Sequence, residues 1–393
     1  MLESPWLILA VLFIARFALG YQFQSAGSVA PFLQPALEID YAEVGLLIGA
    51  FMLPGVAISV PSGILAQRFG DKNIVAAGMV LMIVGGLLTG VGEVYAVLFA
   101  GRLLSGLGGA VLVVVMFKMI VDWFADRKLF LFAMAVFING WPIGIAAAQA
   151  TQSRWAKSHT WQSVFFGSAA LVAVALLLML VFYRLPPGAR PASEAPRRGL
   201  TRWELGMTCL AGIIWMLFNA AYLAVLSFGP SKLIEDGTSI PQVERVVRAD
   251  TVVSVMSWVF IVALPLGGYL ANKFKAPDAV MVSGLVASIL LGAYLPFSPM
   301  PLLSFALFGV ALAMAAPVVA ALPAPVLTPD ARGWGFGIYY VWYFGGMPVL
   351  IALAGVLNDA TGSATASLEF AVAMLFVCLP LLALFRLAQA RRS

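Results

Sequence analysis

The sequence predicts an all-α membrane protein of twelve transmembrane helices, folded as two pseudo-symmetric six-helix bundles. Three observations predict it: a composition that only lipid can solvate, twelve apolar segments of spanning length, and a motif that returns 205 residues further along the chain. Of 393 residues, 62% are hydrophobic and 10% charged, whereas a soluble domain carries about 25% charged residues.

A helix needs roughly 20 apolar residues to cross a hydrocarbon core of about 30 Å. By that measure the first six spans fall at 6–33, 42–67, 73–92, 95–122, 128–150 and 161–183. The second six fall at 204–229, 247–271, 277–296, 300–324, 333–357 and 367–388. The start, MLESPW, has Glu3 and no Lys or Arg ahead of the apolar run, and Arg16 interrupts that run. A cleaved signal peptide is therefore a poor reading, and the first segment is expected to be a retained span. Between spans six and seven, RLPPGARPASEAPRRGLTR is rich in Pro and Arg and reads as a linker. It divides the chain into an N-terminal bundle (1–183), a cytoplasmic linker (184–203) and a C-terminal bundle (204–393).

With the N-terminus inside, fifteen of the 23 Lys and Arg residues fall in cytoplasmic loops and tails, and five fall outside. The remaining three, Arg16, Arg102 and Lys118, lie within spans and away from their ends. This bias places both termini in the cytoplasm and the chain in a cell inner membrane. The net charge of +5 is thus topology and anionic-lipid contact, and no nucleic-acid partner is expected. Cys209 and Cys378 sit in apolar runs without CxxC spacing and read as buried free thiols. The one histidine, His159, lies in a polar stretch, so neither metalloenzyme nor triad chemistry is indicated, and no metal or cofactor is expected. Sixteen methionines invite a Cu(I) reading, but no histidine lies in any expected span.

The end of span two reads Gly63-Ile-Leu-Ala-Gln-Arg-Phe-Gly and that of span eight Gly268-Tyr-Leu-Ala-Asn-Lys-Phe-Lys. Gly, Leu, Ala, amide, cation and Phe all match at an offset of 205, a register that two merely apolar segments would not share. The halves are repeats. Parallel six-span repeats place a substrate site near the bilayer midplane between them and alternate access by rocking.

Through these residues the chain resembles the major facilitator superfamily of secondary transporters. The loop signature of that family, broadly G-x-L-x-D-R-x-G-R/K-R/K, is met by Gly63, Leu65, Arg68, Gly70 and Lys72, with Gln67 where Asp is usual. The resemblance implies a conformational latch built from Gly63, Arg68, Gly70, Lys72 and Asp122, with Asp71 as a substitute carboxylate. In span four, Arg102-Leu-Leu-Ser-Gly-Leu-Gly is similar to the family's Arg followed by small residues. In span five, Asn139-Gly140-Trp141-Pro142-Ile-Gly144 partly resembles the Gly-Pro motif of its antiporters. Segments such as GYQFQSAGSVAPFL, FKMIVDWFADRK and NGWPIG are most similar to the bacterial branch loosely called cyanate-permease-like.

Arg16 is the sharpest single residue. It lies ten residues past Trp6, about 15 Å along the helix, where an arginine facing lipid costs at least ~2.5–3.5 kcal/mol. Gly20, Phe23, Gln24 and Gly27 share its face, a notched and partly polar stripe that suits a cavity wall. Its guanidinium fork is a contact for a carboxylate or other anion; the alternative is a structural arginine satisfied by backbone carbonyls and glutamine side chains. Arg102 lies in the outer half of span four beside Ser105, Gly106 and Gly109, either lining the cavity or holding the fold. Lys118 stands four residues before Asp122, the spacing of an intrahelical ion pair.

The second half supplies rings and amides: Asn219 and Tyr222 in span seven, Trp258 in span eight, and Tyr339, Tyr340 and Tyr343 in span eleven. At that depth they are interfacial belts or cavity walls. None of the 18 Asp and Glu residues falls near the centre of a span, so proton coupling through a buried carboxylate is not expected. The expectation is a monomeric carrier of a small organic or inorganic anion, or of a singly charged planar metabolite, working by uniport or exchange. The alternatives are efflux of hydrophobic drugs and uptake of a neutral heterocyclic vitamin.

Overall fold

The computed structural model describes residues 4–39, 41–125, 127–186, 199–236 and 242–391. Glu3 and most of the expected linker (187–198) lie outside the described residues. Those described form fourteen α-helices and no strand. Among the described residues, twelve stretches are long and apolar enough to cross a membrane.

The first six spans are built by α1 (Pro5–Leu37), α2 (Tyr41–Ala50) with α3 (Pro54–Phe69), α4 (Asp71–Val91), α5 (Tyr95–Phe124), α6 (Phe130–Ser158) and α7 (Trp161–Phe182). The second six are α8 (Arg202–Asp236), α9 (Gln242–Trp258) with α10 (Phe260–Lys273), α11 (Pro277–Tyr294), α12 (Pro301–Ala321), α13 (Arg332–Thr361) and α14 (Ala364–Ala390).

Spans two and eight, each expected as one helix, are each two. In the first case the chain turns at Phe51, Met52 and Leu53, and Pro54 opens α3 from the first-turn position, where its missing N–H costs nothing. An offset of 205 carries Pro54 to Val259, the residue between α9 and α10. The break is thus part of the repeat. It is softer in the second copy, where Val259 N still donates to Val255 O at 3.1 Å.

Span five also departs from expectation. Hydropathy ends it near 150, yet α6 continues to Ser158 because its polar residues are bonded to α1. Gln152 Nε2 donates to Tyr21 O at 3.0 Å and Ser25 Oγ at 3.1 Å, Ser153 Oγ donates to Ser28 O at 2.7 Å, and Tyr21 and Thr151 share a hydroxyl bond of 2.9 Å. Paired amides and hydroxyls keep a helix going in lipid where unpaired ones would end it.

The chain forms two compact units. The first is Met1–Arg127, Val136–Thr201 and Leu327–Phe344, and the second is Lys128–Ala135, Arg202–Val326 and Gly345–Ser393. Each therefore contains the start of a span that the chain order assigns to the opposite half: α13 in the first, α6 in the second. Glycines permit this. A side chain at Gly63 would run into the Gly333 carbonyl, and one at its repeat partner Gly268 into the Leu131 carbonyl. In the first unit α5 is the innermost helix, with 83% of its spanning stretch buried; in the second it is α12, with 78%. These are spans four and ten, equivalent in the repeat. Small residues carry α4 onto α5, since neither Gly85 against Ser105 nor Gly78 against Leu112 has room for a Cβ.

Candidate functional site

Within the first unit, Arg16 stands about a third of the way along α1 and is 6% exposed. Its guanidinium carbon lies 4.9 Å from the centre of the Phe117 ring and 4.8 Å from that of Phe137, two rings set edge to face 5.2 Å apart. Nε and Nη1 are buried with no hydrogen-bond partner among the described residues. The phenols of Tyr340 and Tyr343 lie close enough to interact with the charge. Tyr340 packs edge-on to Phe117 at 5.2 Å, and Phe336, Tyr339 and Phe344 extend the aromatic wall. The cation of α1 therefore sits in an aromatic box whose rings come from α5, α6 and α13.

A cation–π contact is worth about 0.5–2 kcal/mol. Two of them offset much of the burial of a guanidinium but accept none of its N–H bonds, and unmet charged donors are costly. The glutamine alternative is not what is seen: Gln22 Nε2 donates to Met82 O at 2.9 Å, and Gln24 is half-buried further along the helix. What the arrangement can do is receive an oxyanion in the plane of the guanidinium, with rings to flank a planar substituent.

One expectation about this face is corrected. Gly20 does not open a notch onto a cavity; a side chain there would strike the Trp141 carbonyl at about 2.5 Å. Gly140 lies against Phe13 and Arg16, Gly144 against Phe17, and the Phe23 and Trp141 rings are 5.0 Å apart. The Asn-Gly-Trp-Pro-Ile-Gly segment is thus a close-packed seam between α6 and α1, which sets Phe137 beside Arg16.

Arg102 is a second correction. It is 1% exposed, and its fork is spent on three backbone carbonyls: Nε to Leu47 O at 3.0 Å, Nη1 to Gln22 O at 3.1 Å and Nη2 to Phe23 O at 2.8 Å. Phe51 lies under it at 4.7 Å. It holds α1 and the end of α2 to α5, the structural one of its two readings.

The latch residues are partly brought together. Lys118 Nζ bonds Asp122 Oδ2 at 2.7 Å, as its spacing implies, and also Asp71 Oδ2 at 2.5 Å. Asp122 Oδ1 in turn accepts from Arg332 Nη1 at 2.6 Å. Asp71, Lys118, Asp122 and Arg332 thus form a neutral chain of alternating charges joining α4, α5 and α13. Beside it Gln67 Nε2 donates to Asp330 O at 2.5 Å, so the amide in the usual Asp position reaches the start of α13 as a donor. Gly63 provides the close approach to Gly333, and Gly70 turns the chain between α3 and α4 at φ 87°. Arg68 and Lys72 stand apart from the charge chain. Arg68 is exposed over the Phe69 ring, and Lys72 Nζ caps α7 through Leu180 O at 2.7 Å and Tyr183 O at 3.2 Å.

In the second unit, Tyr222 OH bonds Ser257 Oγ at 2.9 Å and its ring packs on Phe260. Asn219 Nδ2 donates to Trp215 O one turn back at 2.8 Å, and Trp258 is 50% exposed at the end of α9. Met216, half-buried, packs under Gly346. Cys378 is a buried free thiol as expected, but Cys209 is only half-buried. Sequence reasoning missed Phe117, Phe137, Phe336 and Arg332. A ring in an apolar helix carries no mark of function, and Arg332 was counted with the loop charges.

The chain is 26% identical over 308 residues to the 3-(3-hydroxy-phenyl)propionate transporter of Escherichia coli (strain K12), covering 76% of this chain and 74% of that protein. It is 25% identical over 315 residues to the multidrug resistance protein MdtL of Escherichia coli O81 (strain ED1a), covering 79% and 76%. Its fold matches that of the E. coli fucose:proton symporter FucP with a TM-score of 0.74 at 17% identity, over 98% and 99% of the two chains. Residues 12–240 match the family model of the Major Facilitator Superfamily, and with twelve spans in the repeat that family uses, the chain belongs to it.

Proposed function

We propose that this secondary transporter moves a small organic anion across a bacterial inner membrane by alternating access, with Arg16 as the anion contact. The observation that carries the reading is a buried guanidinium with two donors unmet by protein, held between aromatic rings. Tyr340 and Tyr343 are the substrate walls beside it, and Tyr339 backs them. Gln24 in the first unit, and Asn219, Tyr222 and Trp258 in the second, remain candidate substrate contacts on this reading. A planar monocarboxylate suits the box, and the name of the hydroxyphenylpropionate transporter is in keeping with that chemistry. Both termini face the cytoplasm on this reading, which puts the Asp71–Lys118–Asp122–Arg332 chain at the cytoplasmic end as the latch. The narrower likeness to the cyanate-permease-like branch belongs to the same proposal and rests on the sequence segments alone.

The test is uptake of radiolabelled aromatic and aliphatic monocarboxylates into proteoliposomes. Losing charge-assisted bonds worth about 1.5–3 kcal/mol in all would weaken apparent affinity by roughly 10- to 150-fold in Arg16→Ala. Unchanged affinity and rate would sink the anion site. A second reading, efflux of hydrophobic drugs, is favoured by the comparable similarity to MdtL. It predicts resistance to chemically diverse compounds that survives Arg16→Ala.

A further inference from the structure

We propose that the transporter is an exchanger: it reorients rapidly only with an anion on Arg16, and so swaps one monovalent organic anion for another instead of moving one net. This rests on the anion reading of Arg16 and adds the mode of transport to it.

Any alternating-access cycle passes through a state in which the site is closed to both sides. Arg16 at 6% exposure, with Nε and Nη1 unbonded, is what that passage demands of the guanidinium. The groups around it cannot balance the charge: Phe117 and Phe137 are apolar, and the Tyr340 and Tyr343 phenols offer dipoles but no full negative charge. The two cations of α5, which the sequence also sets well inside a span, are already satisfied. Lys118 lies between Asp71 and Asp122, and Arg102 is bonded to three carbonyls. Of these three, Arg16 is then the cation whose balance depends on cargo. Empty, the carrier must desolvate an uncompensated cation to cross; loaded, it desolvates a neutral pair whose donors are met. The loaded crossing is the faster one, and net flux is limited by the empty return.

The experiment uses the full chain in proteoliposomes at pH 7.5, with radiolabelled 3-(3-hydroxyphenyl)propionate outside and either the same unlabelled anion or buffer inside. Exchange predicts uptake at least about tenfold faster into preloaded vesicles, the equivalent of about 1.4 kcal/mol in the return barrier. It also predicts no response to a potassium–valinomycin potential, because a one-for-one swap of monoanions moves no net charge. Equal rates into loaded and empty vesicles, with accumulation driven by the potential or by a pH gradient, would overturn exchange and leave the anion reading intact. Label binding by Arg16→Gln as tight as by the wild type, or no wild-type uptake under either condition, overturns the anion reading and exchange with it.

Discussion

Arg16 and Arg102 are both nearly fully buried in apolar helices, and the difference between them lies in what their donors meet. Arg102 is met by three carbonyls, whereas Arg16 is met by the faces of two rings. Their substitutions should therefore move stability in opposite directions. Arg102→Ala leaves three carbonyl oxygens of α1 and α2 without their cation, and should cost more than about 3 kcal/mol, seen as a clear fall in the melting temperature of the detergent-purified protein. Arg16→Gln removes an uncompensated buried charge and should leave that temperature unchanged or higher. Arg16 was legible from sequence because a charge at midplane depth violates a strong rule of lipid solvation. That Arg102 was spent on backbone was not, since carbonyls have no signature in the chain, and Phe117 and Phe137 were hidden among other rings for the same reason.

Helix boundaries were read from hydropathy, which works wherever solvent decides them. It failed at α6, where the polar stretch Thr151–Ser153 is kept helical by bonds to α1. The contacts that decided the matter come from a segment more than a hundred residues earlier. The α1–α6 seam itself rests on glycine. Gly144→Val would drive a branched side chain into the Phe17 carbonyl and push Phe137 away from Arg16. The expected outcome is a loss of 1–3 kcal/mol in stability together with weaker anion affinity, measured by thermal shift with and without anion. Gly167, with nothing within 4 Å of where its Cβ would stand, should accept Ala without either effect.

Across the whole molecule, the 205-residue repeat was legible from one heptapeptide, and it proved to govern more than that motif. The breaks in spans two and eight, the innermost positions of α5 and α12, and the glycine contacts of Gly63 and Gly268 all follow the same offset. The charge chain does not: Asp71, Lys118, Asp122 and Arg332 are drawn together once, in the first unit. Two partly buried pairs sharing Asp122 should be coupled. A double-mutant cycle of Asp122→Asn and Arg332→Gln is expected to give an interaction of about 0.5–3 kcal/mol, read from stability, while anion affinity at Arg16 changes little. Additive effects would mean that the chain does not act as a unit. The latch was only half legible because Gln67 replaces the usual carboxylate and Arg332 is distant in sequence, so the fold alone reveals which charges meet.

The account turns on Arg16 holding the anion, and the most direct measurement is calorimetric binding of 3-(3-hydroxyphenyl)propionate to the purified wild type, Arg16→Lys and Arg16→Gln. Affinity should fall at least about tenfold in Arg16→Gln and be partly restored in Arg16→Lys, which keeps the charge and loses the fork. Equal affinity in all three proteins would contradict it.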